Sequence, residues 1–337
     1  MSYTTNPPTT VTMRAIVQDT YGSADVLRLA RIAQPQIAAD EVLVHVRAAG
    51  LDRGTWHMMA GQPYLLRVLG FGFRAPKNRV PGLDVAGIVV ETGSAVTKFS
   101  PGDEVFGISR GSFAEYAAVR EDKLARKPAN LTFDQAAAVP ISAGTALQAL
   151  TDVGKVDQGQ RVLIIGASGG VGSYAVQLAK AFGAEVTGVC STSKIDLVRA
   201  LGADHVVDYT REDFADATHT YDLILDLAGN STLSRMRQAL RPSGTLVIVG
   251  GEEGGRWTGG FGRSLRAPLL SPFVRQRLTM LASKERASDQ ERLTTHIEAG
   301  KVTPSIDRTY PLGRVQEAMR HLEAGDVRGK VVIKLWA

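Results

Sequence analysis

The sequence predicts an α/β protein in which a turn-punctuated β region precedes a doubly wound parallel sheet. Three observations carry this. Residues 11–120 read as short apolar strands separated by glycine and proline turns. Residues 160–250 alternate strand and helix, and parallel strands need helical crossovers. A glycine-rich loop, Gly166–Gly172, stands between a strand and a helix. At about 150 residues per domain, the 337-residue chain holds roughly two domains.

In chain order, Val42–Val46 alternates toward one face and Val85–Val90 is a short apolar run. Pro81–Gly82, Pro101–Gly102 and Gly111 punctuate them. Near residue 135 the character changes: Gln135–Ala138 and Ser142–Leu150 are alanine-rich and predicted helical. Arg161–Ile165 is an apolar strand, and Val171, Ala175, Leu178, Ala179 and Phe182 then mark one helix face. Glu185–Val189 is the next strand and Lys194–Leu201 the next helix; His205–Asp208, Asp222–Asp226 and Thr245–Val249 are further strands. The pattern weakens over Gly250–Arg286. There Arg256, Arg263, Arg266, Arg275, Arg277, Lys284 and Arg286 accompany Trp257, Phe261, Leu269, Leu270 and Phe273. Helices over Asp289–Ala299 and Arg314–Ala324 alternate with strands around Ile306 and over Val331–Leu335. That last strand needs a sheet, and the N-terminal region is the expected host.

The composition, 44% hydrophobic and 22% charged, argues against long disorder. One cysteine, Cys190, excludes an intrachain disulfide framework and any multi-cysteine metal site. Met1–Thr10 lacks a basic start and an apolar run, and no stretch is apolar enough to span a bilayer, so a cytoplasmic protein is expected. The charge of +5 suits an anionic ligand, while 6% aromatic residues argue against nucleic acid as partner.

Within the glycine loop, Ala167, Gly169 and Gly172 fall on the G-x-G-x-x-G spacing, with alanine for the first glycine. In a dinucleotide-binding loop these positions make the tight turn, let the backbone approach the pyrophosphate and let helix and strand pack closely. The helix N-terminus then offers N–H groups and partial positive charge to phosphate, making Ser168, Gly169, Gly170 and Val171 the candidate cradle. Gly166–Gly170 also spells a G-x-S-x-G elbow, with Asp226 and His296 or His321 in the order a serine hydrolase needs; that reading leaves Gly172 unexplained. An NAD site expects an acid after the second strand. Cys190–Lys194 contains none, and Ser191 and Lys194 suit a 2′-phosphate instead, with Tyr209 and Arg211 nearby. The plain alternative for Lys194 is a solvated lysine at a helix start.

The chain resembles the medium-chain dehydrogenase/reductase superfamily, and within it the zinc-free quinone oxidoreductase-like reductases. The resemblance spans nearly the whole chain and rests on Ala49–Gly50, Pro81–Gly87, Gly102–Gly107, Gly111–Tyr116, Ala138–Pro140, Thr145–Ala146, the glycine loop, Asp226–Gly229 and Arg328–Ile333. It implies a GroES-like substrate domain (1–139), a Rossmann dinucleotide-binding domain (140–300) and a return to the first domain (301–337). It places Thr145 and Gly250 beside the nicotinamide of NADPH. Where zinc members carry Cys, His and Cys, this chain has Asp52, Leu83 and Ile141, too few donors for a catalytic zinc. Without that Lewis acid the implied acceptor is an apolar quinone or activated α,β-unsaturated carbonyl, whose conjugation spreads developing charge. The runner-up reading is an alkenal or enoyl double-bond reductase; a non-catalytic NADPH-binding protein is the reading from another class. The family's usual Asn and Asp near the substrate are replaced by Asp52 and Thr55, so Asp52, His57 and Tyr64 are the candidate donors. Residues 62–79 read equally as a lid or as a loop packed on its own domain. Residues 256–286 read as solvated or dimer-facing ahead of membrane-docking, and a homodimer is expected.

Overall fold

The computed structural model describes residues 11–216, 219–251, 255 and 257–336. The expectations attached to Met1–Thr10 and to Arg256 lie outside the described residues. The N-terminal region contains β1 (Thr12–Val17), β2 (Arg28–Ala33), β3 (Glu41–Leu51), α1 (Arg53–Ala60), β4 (Asp84–Thr92), β5 (Glu104–Ile108), β6 (Tyr116–Arg120) and β7 (Leu124–Arg126). Two helices follow, α2 (Phe133–Ala137) and α3 (Pro140–Gln148). The alternating region is β8 (Arg161–Ile165), α4 (Gly170–Ala181), β9 (Glu185–Cys190), α5 (Ile195–Ala200), β10 (His205–Asp208), β11 (Tyr221–Asp226), α6 (Leu233–Ala239), β12 (Leu240–Ile248), α7 (Phe261–Leu270) and β13 (Arg277–Met280). The chain closes with α8 (Ala287–Glu298), β14 (Ile306–Pro311), α9 (Val315–Glu323) and β15 (Lys330–Lys334).

Strands β8–β13 form a six-stranded parallel sheet in the order β10-β9-β8-β11-β12-β13. The order reverses direction between β8 and β11, the crevice where doubly wound sheets take ligands. The second sheet runs β14-β15-β3-β4-β5-β7, with β6 also paired to β3. Its first two members are the C-terminal strands, and Val332 of β15 stands opposite Gly50 of β3. The two sheets share one core: Ala136, Ala137, Ala143 and Ala146 of α2 and α3 pack between Phe106 and Val332 on one side and Tyr174, Leu178 and Val186 on the other. Small alanines let these helices approach both sheets closely, which is how the two sheets are held against each other.

Three elements differ from the sequence reading. Residues 53–60 form a helix within the region read as strands and turns. Asp52 caps it, accepting from the Thr55 N–H at 2.8 Å, and Gly61 ends it in the left-handed region at φ 60°. Its eight residues are too short for a clear 3.6 period. The weakly patterned stretch after Gly250 contains α7 and the sixth parallel strand, β13. With four residues, β13 is set by pairing with β12 rather than by its own alternation. Among the described residues, no helix is long and apolar enough to cross a membrane.

Candidate functional site

The C-terminal ends of β8, β9 and β11 open onto a cavity of about 170 Å³. Ser168, Ser191, Lys194 and Tyr209 line it together, although they come from three different loops. Phe214, Asn230, Ser231 and Arg235 line it too. The sequence reading missed these four; the Gly229–Ser231 turn directly after an apolar strand was the available signal. Thr145 and Gly250 are not among the residues lining this cavity.

The glycine loop has the geometry an anion requires. Gly166 makes the turn at φ 88°, one residue before the position assigned to it by spacing, so Ala167 carries no strain. A Cβ on Gly172 would lie 2.1 Å from the Gly166 carbonyl oxygen, so only glycine lets α4 pack onto the loop. Gly169 precedes α4, and no side chain caps this 12-residue helix. Its first turn, formed by Gly170 and Val171, therefore presents N–H groups and partial positive charge to a pyrophosphate. These residues fit a dinucleotide.

Lys194 lies at the other end of the cavity. Its Nζ donates to the carbonyls of Gly325 at 2.8 Å and Val327 at 3.0 Å. An ammonium has three donors, so one remains for a ligand. Burial holds its pKa below the usual lysine range. Arg328 donates to the Ser193 carbonyl at 3.2 Å, and the Gly329 N–H to that of Ser168 at 2.9 Å. Residues 325–329 thus tie the phosphate-side loops to β15. Asp326 and Asp307 are the acids that act on Lys194, and Asp208, at the end of β10, is engaged by the hydroxyls of Thr192 at 2.5 Å and Thr210 at 2.7 Å, which hold its carboxyl below the usual range.

A buried ion pair organises the ends of β11 and β12. Arg263 of α7 reaches Asp226 at 2.7 Å, and its other bonds go to the carbonyls of Ser231 at 2.6 Å and Gly250 at 3.3 Å. Asp226 also accepts from the Gly229 N–H at 3.0 Å. Burial pushes its carboxyl up, against the pull of Arg263. This disposes of the hydrolase triad. Asp226 is paired, His321 meets Asp307 at 2.6 Å, and His296 packs edge-on against Phe182.

On the opposite side stand the three candidate donors. Asp52 and Thr55, read as substitutes for a family pair, bond to each other: Asp52 Oδ1 takes both the N–H and, at 3.2 Å, the hydroxyl of Thr55. Asp52 Oδ2 is buried without a partner. His57 Nδ1 lies 2.8 Å from the Gln62 carbonyl, which can only accept, so Nδ1 carries the proton. Tyr64 meets Trp257 edge-on, ring centres 5.4 Å apart, with the Arg67 guanidinium over its other side. Behind Asp52, and unnoticed in the sequence, Lys330 of β15 donates to Asp84 of β4 at 2.9 Å and to Ser142 of α3 at 3.1 Å. Both charged groups are essentially inaccessible.

The positions matched to zinc ligands do not fit a zinc ion. Leu83 and Ile141 have no donor side chain, and the Ile141 N–H is engaged by Asp84 at 2.8 Å. Among the described residues, no three His, Cys, Asp or Glu side chains cluster to hold a metal.

Two family models match, one described as alcohol dehydrogenase GroES-like domain over residues 38–129 and one as zinc-binding dehydrogenase over residues 201–333. The chain is 35% identical to the 2-methylene-furan-3-one reductase of Solanum lycopersicum, over 95% of this chain and 79% of that one. Identity and coverage are the same with the chloroplastic NADPH-dependent alkenal/one oxidoreductase of Arabidopsis thaliana: 35%, 95% and 79%. Among solved structures, the quinone oxidoreductase from Coxiella burnetii superimposes with a TM-score of 0.86 at 30% identity, covering 97% of this chain and all of that one. Paired sheets joined through α2 and α3, a glycine loop at the switch point, and relatives alike over nearly the whole length lead to one conclusion: the chain belongs to the medium-chain dehydrogenase/reductase family.

Proposed function

We propose that this oxidoreductase uses NADPH to reduce an apolar quinone or an activated α,β-unsaturated carbonyl, without zinc. The observation that carries the cofactor choice is the meeting of Ser191, Lys194 and Tyr209 at the cavity's edge, where no acid follows β9. The acceptor class is supported by the names of the relatives, which describe reduction of furanones, alkenals or alkenones and quinones. When bound, the cofactor supplies a hydride. The chain's own part is to bind and orient. The first turn of α4 would hold the pyrophosphate, and Thr145 and the Gly250 backbone, whose carbonyl Arg263 fixes, would hold the nicotinamide. With no metal to take negative charge, the acceptor's own oxygen bears it, and a hydrogen-bond donor must meet it there. Tyr64 is the donor in this reading; His57 would need a second proton to serve, because its Nδ1–H is held by the Gln62 carbonyl, and Asp52 holds the start of α1. We further propose that the protein is cytoplasmic and, since the outer edge of β13 is unpaired among the described residues, that it is a homodimer.

The reading is tested by measuring kcat/KM for NADPH with a quinone and with an enal, and for NADP with ethanol and benzyl alcohol. Reduction is expected to exceed alcohol oxidation; a larger value for an alcohol overturns the mechanism. Elemental analysis is expected to find well under one zinc per chain, and zinc-restored activity after chelation would show that a metal acts after all.

A further inference from the structure

Residues 62–82 and 255–284 together carry ten Lys and Arg and not one Asp or Glu, while the whole chain is only +5. The rest of the molecule is therefore net acidic. The same two stretches hold the five most exposed large apolar side chains described: Phe273 at 85%, Trp257 at 75%, Phe73 at 74%, Leu269 at 72% and Val68 at 71%. Two of these cations are paired, Arg79 with Asp19 and Arg263 with Asp226, but Arg74 and Lys77 are exposed, and solvated segments do not place bare aromatics in water beside such cations.

The stretches meet. The Leu65 N–H donates to the Trp257 carbonyl at 3.1 Å, Tyr64 packs on Trp257, and a Cβ on Gly259 would touch Pro63 at 3.1 Å. Each is anchored to one side of the site. Residues 61–72 hang from α1 through His57–Gln62 and Arg67–Gly61, the latter at 2.8 Å. The Trp257 loop returns to Gly251 through Gly260, next to Gly250. Tyr21 holds the carbonyls of Phe71 and Gly72, leaving Phe73 and Arg74 beyond them in solvent. On the function proposed above, the junction would border both the nicotinamide side and the acceptor side; Val68, Phe73 and Trp257 are bare around it and Arg74 and Lys77 exposed alongside.

We propose that this junction is a docking surface for an anionic lipid bilayer. Exposed Trp, Phe and Val beside Arg74 and Lys77, in stretches whose own residues include no acid, is the chemistry that seats a protein in the headgroup boundary: apolar groups enter the acyl edge and cations meet the phosphates. A second copy of the chain is disfavoured there, because it would set one cationic face against another. Leu269 and Phe273 lie toward the open β13 edge and are not part of this surface. Docking would place the entrance to the acceptor site at the lipid boundary, where apolar acceptors partition.

The test uses the whole chain with vesicles of phosphatidylcholine alone or mixed with phosphatidylglycerol, and no acceptor. Co-sedimentation is expected with the mixed vesicles at low salt, to weaken in 0.5 M NaCl, and to be slight with phosphatidylcholine. Val68→Ser/Phe73→Ser is expected to lower the partition coefficient at least ~10-fold. Arg74→Glu/Lys77→Glu is expected to abolish the preference for anionic vesicles. All four side chains are exposed, so unchanged melting temperatures check the fold. No sedimentation of wild type with the mixed vesicles, or equal sedimentation of the variants, overturns the proposal. So does a wild-type oligomer that dissociates in Val68→Ser/Phe73→Ser without vesicle binding, which would make a second copy the occupant.

Discussion

Lys330→Met should lower the unfolding free energy at pH 7 by about 3–5 kcal/mol, because it strands a charge in the interior. Asp84 and Lys330 are 0% and 1% exposed, and the carboxylate is otherwise held only by the Ile141 N–H. Burial pushes the Asp84 carboxyl up to about 6, from 3.8; Lys330 pulls the other way and Asp52 adds to the rise. Removing Lys330 removes the main opposing charge, so the carboxyl rises further. A pKa raised in the folded state means that the fold prefers the protonated acid. Its contribution is favourable at low pH and is lost as pH climbs through the folded value. The deficit of Lys330→Met is therefore expected to be small near pH 4.5 and to grow as pH rises to 7. Urea unfolding at the two pH values measures this, provided the transition is two-state in each. Asp84→Asn/Lys330→Met should recover part of the loss. A deficit that is the same at both pH values, or under 1 kcal/mol at pH 7, would show that the pair is not what the pH dependence reports.

Lys194→Ala should weaken NADPH binding roughly ten- to a hundred-fold, the effect of losing one charge-assisted hydrogen bond of ~1.5–3 kcal/mol. NADH binding should change little, since it lacks the 2′-phosphate. Tyr209→Phe should cost less, because it removes a neutral donor. The fold adds a control that the sequence did not suggest. Lys194 also pins the carbonyls of Gly325 and Val327, so Lys194→Ala is expected to melt earlier as well. Both cofactors must be titrated at one fixed ionic strength, because the contact is screened. Equal loss of NADH and NADPH would mean that the lysine serves only to pin residues 325–327. A wild type that prefers NADH would overturn the cofactor assignment.

The parallel sheet was legible because its central strands, β8, β9 and β11, are buried along most of their length. Arg161–Ile165 and His205–Asp208 coincide with β8 and β10, and in the other sheet Val85–Val90 lies within β4. α1 and β13 were not: eight residues carry no clear helical period, and Arg277–Met280 is a single polar–apolar alternation inside a basic run. In the site, Ser168, Ser191, Lys194 and Tyr209 were found because loop spacing and a missing acid are local signals. Arg263 was read only as one member of a basic run, although it is the partner of Asp226. Nothing about an arginine 37 residues downstream distinguishes a buried one from a solvated one.

The sequence by itself determined what is written in neighbouring residues: the strand–helix alternation, the uncapped glycine loop, the absence of an acid after β9, and the lack of donor side chains at Leu83 and Ile141. Only the tertiary structure decided which distant groups meet: Lys330 with Asp84 across 246 positions, Lys194 with Gly325 across 131, and Leu65 with Trp257 at the junction. The reason is physical. A backbone turn or a helix start is fixed by local sterics and hydrogen bonding, which a few residues encode. The partner of a buried charge is fixed by the topology that brings two strands side by side, and the cost of leaving that charge unpaired is felt only after the chain has folded.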